Sequence, residues 1–354
     1  MEKARAKKLA SRLSRATPVQ LARFDLAQKR ITNILRRHVV ANHRTLEQKI
    51  ADAGPTPQRI NPHVIATALD IMERDGLVVA ETHMNGNWMY LSGAPPEQVR
   101  TRLSVQLTLW RELQTQKLTR RVGQTLEIAV YKCLVRQNAL RHLGAYVDLE
   151  EHDDHELFSK EEPPSMLDGR AFPGKSRVDF AVSHPTARWG AIEVKNKREW
   201  MYPSNADIRE LLQKALAVDA IPILIARRIP FVTFRVLSPC GLVIHQTFNQ
   251  LFPASELDLV TKIRDKESLG YHDVRCGNGP DARLVKFLCT NLPTVMPSAR
   301  EKFDANRDLL ERYADGEMSY AEFAARVRRR QSGTNEDSDA PEDDGSDANM
   351  DCSE

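Results

Sequence analysis

Two short segments hold the residues best suited to chemistry. Arg177-Val178-Asp179-Phe180-Ala181-Val182-Ser183 alternates like a half-buried strand, with Val178, Phe180 and Val182 on one face and Asp179 on the other. His184-Pro185-Thr186-Ala187-Arg188 turns the chain. In Trp189-Gly190-Ala191-Ile192-Glu193-Val194-Lys195 the pattern resumes, Ile192 and Val194 pointing one way and Glu193 and Lys195 the other. Paired as a hairpin, these strands bring a carboxylate from each, and an ammonium, to one sheet face. Two carboxylates so held repel each other unless a cation sits between them. Oxygen donors suit a hard ion, Mg2+ or Mn2+, which keeps waters and bridges to a phosphate. Such an ion stabilises charge building on the phosphate, while a lysine beside it orients or helps to deprotonate the attacking water. The arrangement suits phosphodiester hydrolysis.

Asp179, thirteen intervening residues and then Glu193-Val194-Lys195 resemble the signature of the PD-(D/E)XK nuclease superfamily, which includes restriction endonucleases and Holliday-junction resolvases. Val178 stands where the signature has Pro. The resemblance extends over about a hundred residues in the order of four elements. It implies an acid on the preceding helix, a position that Glu127 fits beside the apolar stripe of Leu126, Val130, Cys133 and Leu134. It also implies a Gln or basic residue on the following helix, where Gln213 fits, and then an apolar strand, Ile221-Pro222-Ile223-Leu224-Ile225-Ala226. On this likeness Asp179 and Glu193 ligate Mg2+ or Mn2+ with the Val194 carbonyl, and Lys195 positions or activates water. Glu127 then serves a second ion or a metal-held water. The implied fold is α/β (α+β), a restriction endonuclease-like mixed sheet flanked by helices.

The elements that must position these residues are legible in outline. A basic arm (residues 1–17) precedes a unit over residues 18–93. In that unit, periodicity predicts a helix over 18–40, and a second over 46–53 capped by Thr45 and stopped by Gly54-Pro55. A third opens at Asn61-Pro62 and ends at Gly76. Two strand-like runs, 77–81 and 88–91, flank Asn85-Gly86, a strong hairpin signal. Three helices and a hairpin resemble a winged helix-turn-helix. That likeness implies a third helix offering His63, Thr67 and Arg74 to DNA in the major groove. A helical linker (94–121) leads to the nuclease-like domain (122–296), within which 147–170 reads as a loop or insertion. C-terminal helices (297–330), broken at Asp315-Gly316, precede an acidic tail (331–354).

The charge distribution is compatible with a polyanionic partner without singling one out. The tail holds nine acids and no Lys or Arg, so the other 330 residues carry +12 against +3 for the whole chain. Basic residues gather near the carboxylates in sequence: Lys175, Arg177, Lys197, Arg198, Arg209, Lys214, Arg227 and Arg228. Trp200 and Tyr202 are candidates for stacking on bases, whereas Trp189 reads as packing. The five cysteines form no C-x-x-C pair, which argues against a zinc ribbon or a disulfide framework and for a reduced, cytoplasmic setting. No apolar run is long enough to span a bilayer. His152 and His155, with Asp153, Asp154 and Glu156, read as a flexible acidic loop rather than a metal site. Gly174-Lys175-Ser176 lacks the upstream glycine of a phosphate-binding loop, and no G-x-S-x-G occurs. The expected partner is nucleic acid, DNA foremost, with no membrane. A single site of this kind cuts one strand, so double-strand cleavage implies a homodimer or repeated visits.

Overall fold

The computed structural model describes residues 14, 16–51, 60–150 and 153–335. Most of the basic arm and of the acidic tail, the Gly54-Pro55 stop and His152 therefore lie outside the described residues. The chain divides into two compact units. The first runs to Leu118 and takes back Asp258–His272 from the segment expected for the second domain; the second comprises Thr119–Leu257 and the described residues from Asp273 on. The whole is a mixed α/β structure, and no helix among the described residues is long and apolar enough to cross a membrane.

In the first unit, Thr17 and Gln20 form a reciprocal cap on α1 (Pro18–His38), whose stripe of Phe24, Ala27, Ile31 and Leu35 is buried. Strand β1 (Val40–Asn42) is too short to be read from periodicity. Helix α2 (His43–Ala51) begins earlier than expected, because the cap is Asn42 and not Thr45: the Asn42 side-chain oxygen accepts the Thr45 N–H at 2.7 Å. Helix α3 (Pro62–Arg74) opens on its proline, and β2 (Val78–His83) and β3 (Gly86–Leu91) follow. The three strands are antiparallel in the order β1-β3-β2.

The hairpin turn is Met84-Asn85, one residue before the expected Asn85-Gly86, since His83 pairs with Gly86. Both turn residues have positive φ, 50° and 61°. Gly86 suits its position for a different reason. A side-chain carbon there would lie 3.2 Å from the Trp110 ring of α4 (Pro96–Leu113), whose indole N–H donates to the Met84 carbonyl at 3.2 Å. Trp88, fully buried, meets Trp110 edge-on at 5.9 Å.

The second unit begins within α5 (Gln116–Arg136), followed by β4 (Arg141–Leu143). The segment expected as a loop contains two small antiparallel pairs, β5 (Ala145–Tyr146) with β6 (Lys160–Glu161), and β7 (Met166–Leu167) with β8 (Arg170–Ala171). Strands β9 (Phe180–His184) and β10 (Arg188–Lys195), helix α6 (Ala206–Ala217), β11 (Ile221–Ala226), helix α7 (Phe231–Leu237) and β12 (Val243–Gln246) complete the centre. The sheet order is β12-β11-β10-β9-β4; β4, β9 and β10 are antiparallel, and β10, β11 and β12 parallel. After β13 (Gln250–Phe252) and β14 (Val274–Cys276) come helices α8 (Ala282–Lys286), α9 (Leu292–Ala305), α10 (Arg307–Ala314) and α11 (Tyr320–Ser332).

Strand period explains why helices cover both faces. Phe180, Val182, Ile192, Val194, Ile221, Ile223 and Ile225 pack with α5 and α9. Ala181, Ala191, Leu224 and Ala226 pack with α6, α10 and α11. Val178 departs from its expected face. It joins the second cluster, because β9 starts only at Phe180 and the alternation does not extend back to it.

Candidate active site

Asp179 lies at the mouth of β9, where its N–H donates to the Ile192 carbonyl at 3.0 Å. Its carboxylate is oriented by the Val194 N–H, which donates to Oδ2 at 2.7 Å. On β10, Glu193 and Lys195 alternate with Val194, and the Lys195 ammonium meets Glu193 Oε1 at 2.6 Å. Register and strand period thus bring the three residues of the expected signature to the same region. Asp179 stays accessible, with 20% of its side chain exposed, whereas Glu193 keeps only 7%.

Glu127 joins them from α5 through residues that sequence reasoning missed. Tyr146 and Lys160 are cross-strand partners in β5 and β6, and both reach Glu127 Oε2. The phenol donates at 2.9 Å, and the ammonium at 2.7 Å. Lys160 also lies 3.3 Å from Asp179 Oδ1, so one buried cation links the two carboxylates. Gly144 makes room for this arrangement: its φ of +95° turns the chain into β5, and a side-chain carbon there would lie 3.1 Å from the Asp179 carbonyl. Lys160 sits in Ser159-Lys160-Glu161-Glu162, which has no periodic signal by which to find it.

Helix α6 contributes Lys214 and not Gln213. Lys214 is buried, 3.4 Å from Glu193 Oε2 and 2.9 Å from Glu210. Gln213 is exposed, and its amide donates to the Ala314 carbonyl on α10 at 2.9 Å. One residue is about 100° of helix, enough to turn a side chain from the site to the neighbouring helix. Asp207, in the first turn of α6, is a further missed member; it meets Lys195 at 3.4 Å and Lys197 at 2.8 Å.

The charges act on one another. Burial and then Asp179 push the Glu127 carboxyl up to about 7, against the pull of Lys160 and Tyr146. Glu193 is raised by the same two causes in the same order. Burial alone would lower Lys195, but Glu193, Asp179 and Asp207 more than reverse it and hold the ammonium above its usual range. Lys160 is likewise raised, with Asp179 and Glu127 outweighing its burial. Hard oxygen donors that raise one another in this way suit a divalent cation. Among the described residues, however, no three His, Cys, Asp or Glu side chains converge closely enough to form a metal cluster by themselves. Lys160 stands between Glu127 and Asp179, in contact with both carboxylates.

The expected nucleic-acid contacts divide. Lys197 is exposed, though paired with Asp207, and Arg177 is half-buried two residues before Asp179. Arg198 and Arg227 turn inward onto Asp273, at 2.8 and 2.6 Å. Arg209 lies over the Tyr313 ring at 4.9 Å, and Lys214 is held by Glu193 as above. Much of the expected basic ring is thus occupied by buried carboxylates and packing. In the first unit His63 is half-buried and Arg74 is exposed beside Asp75. Thr67 does not face outward: it is buried, and its hydroxyl donates to the His63 carbonyl at 2.9 Å. Asp154, in the segment expected to be a flexible acidic loop, accepts the N–H groups of Ala254 and Ser255, while its carbonyl accepts Arg121.

No family model, curated protein or solved structure matches the chain.

Proposed function

We propose that the chain is a metal-dependent nuclease of the PD-(D/E)XK kind, an endonuclease acting on DNA, preceded by a winged helix-turn-helix. One observation carries the reading: Asp179, Glu193 and Lys195 gather where β9 pairs with β10, while the helix before them supplies Glu127. The order helix, three antiparallel strands, helix and parallel strand agrees with a restriction endonuclease-like core. Likewise, α1, β1, α2, α3 and the β2–β3 hairpin agree with a winged helix.

In this reading Asp179 and Glu193, with the Val194 carbonyl, hold Mg2+ or Mn2+. When bound, the ion supplies Lewis-acid stabilisation of a scissile phosphate and a more acidic water. The chain's own residues do the rest. The Val194 N–H fixes Oδ2 of the Asp179 carboxylate, while Lys160 holds Oδ1 at 3.3 Å and must yield there for an ion to bind. Lys195, held firmly as an ammonium, donates a hydrogen bond and positive charge to the phosphate and does not act as a base. Glu127, bonded by Tyr146 and Lys160, serves a second ion or a metal-held water on the Asp179 side of the site.

The test is cleavage by the purified chain with Mg2+ or Mn2+ of linear duplex, single-stranded and branched DNA and of RNA, alongside Asp179→Ala and Lys195→Ala. Both substitutions are expected to lower cleavage by roughly 100-fold or more. Equal cleavage by all three proteins, or none on any substrate, overturns the catalytic reading. The bridge of Lys160 between two of the carboxylates favours one rival, a non-catalytic DNA-binding regulator on a nuclease-like scaffold. In that case wild type also shows no Mn2+-dependent rise in Tm.

A further inference from the structure

Two residues past the C-terminal end of β11 lies Arg228, and two past that of β12 lies Phe248. The two segments are joined by backbone hydrogen bonds: Thr247 N–H donates to the Ala226 carbonyl at 2.9 Å and Phe248 N–H to the Arg227 carbonyl at 3.0 Å. Around Phe248 cations and rings alternate. The Arg228 guanidinium lies 5.9 Å from the Trp200 ring and 5.5 Å from the Phe248 ring; that of Arg283, on α8, lies 4.9 Å from Phe248.

Phe248 is unusual on two counts. It is 38% exposed, and among the described phenylalanines of its unit only Phe231 is more so. Its φ is +65°, a left-handed conformation that bulky residues rarely adopt and that costs stability. A glycine or asparagine would suit the turn better. A strained, exposed aromatic ring beside two guanidiniums is a poor solution for folding and a good one for stacking a flat partner.

The geometry points to a stacking site for unpaired nucleotides, formed by Phe248, Arg228, Arg283 and Trp200. Aromatic rings and guanidinium planes accept the π-face of any base, and the same guanidiniums attract phosphate. A duplex keeps its base faces stacked inside and has no use for the ring, so the occupant is a single strand. The site's position says where that strand runs. Strands β10, β11 and β12 are parallel neighbours, and Arg227 N–H donates to the Lys195 carbonyl at 3.4 Å. At about 4.8 Å per strand, the platform begins roughly 10 Å from the backbone of Lys195. The substrate is thus nucleic acid with unpaired nucleotides beside the phosphate at the site, such as a flap, an overhang or a branch. This location rests on the nuclease reading, whereas the stacking itself does not.

The experiment uses the full chain in EDTA and measures fluorescence anisotropy with labelled oligothymidylate, the same strand carrying abasic positions, oligouridylate and a duplex. Phe248→Ala is expected to weaken oligothymidylate binding about 5- to 100-fold, with duplex binding changed less than about twofold. Wild type and Phe248→Ala should bind the abasic strand alike, and Phe248→Tyr should restore oligothymidylate affinity. A parallel loss on oligouridylate extends the site to RNA; a loss on oligothymidylate alone restricts it to DNA. Phe248→Gly suits the left-handed turn and provides a second variant should the alanine chain fail to fold. It should bind strands as weakly as alanine while melting no lower than wild type. Unchanged oligothymidylate binding in the folded variant, or equal losses on strand and duplex, overturns the inference. The outcome is independent of cleavage by Asp179→Ala, so either reading can fail alone.

Discussion

Burial and the neighbouring charge of Asp179 push the Glu127 carboxyl up to about 7, while Lys160 and Tyr146 pull it back. The sign of the resulting pH dependence follows. A carboxyl whose folded value exceeds its ordinary 4.5 stabilises the fold fully below that value, and this contribution is lost as pH rises through about 7. Glu127→Gln removes the titration. In EDTA, the Tm of the variant minus that of wild type should therefore grow between pH 4.5 and 7. A difference that stays flat across the window would show that Lys160 keeps Glu127 ionised throughout. Glu127, Glu193 and Lys195 were legible as chemistry because residue type and strand or helix period suffice to nominate them. Lys160 and Tyr146 were not, because their role comes from a cross-strand pairing within a segment that has no period.

Local rules succeeded at the level of elements wherever one signal stood alone. The proline at the start of α3 and the period-2 strands β9 and β10 are examples. Where two signals competed, the structure chose between them. Asn42 caps α2 through the Thr45 N–H, and the buried Thr45 hydroxyl has no hydrogen-bond partner among the described residues. Asn42→Ala should then cost about 1 kcal/mol, whereas Thr45→Val, which keeps the shape and removes an unsatisfied hydroxyl, should cost less than about 0.5 kcal/mol. Denaturant unfolding of the two variants separates these outcomes, and the reverse ranking would restore Thr45 as the cap. The hairpin slipped by one residue for a similar reason. Gly86 answers to the ring of Trp110, while Met84 and Asn85 take the positive φ values.

The division of the whole molecule is not linear in sequence. Asp258–His272 belongs with the first unit, where Ile263, Leu269 and Tyr271 are buried and the Tyr271 hydroxyl donates to Asn42 at 3.4 Å. The Lys49 ammonium donates to the Lys266 carbonyl at 2.6 Å, and Arg37 pairs with Glu267 at 2.5 Å. A chain starting at residue 119 strips that segment of its partners and exposes its apolar face. It should aggregate or melt below the second unit of the intact chain. Replacing 258–272 by a Gly/Ser linker in the truncated chain should restore a soluble, cooperative unit, as read by calorimetry. Equal behaviour of the truncated chain with and without the linker would refute this dependence.

The amino-acid sequence by itself determined which residues could form a carboxylate site, which strands carry it and which faces those strands bury. These follow from residue chemistry and from repeats of 2 and 3.6 residues, which act over a few positions. Only the tertiary structure decided which basic side chains remain outward and which are taken up by Glu193 or Asp273. It alone brought Lys160 between Glu127 and Asp179, and Arg283 over Phe248. The reason is physical. An ion pair or a stack depends on where a distant segment returns, and burying a charge demands a partner wherever the fold can supply one.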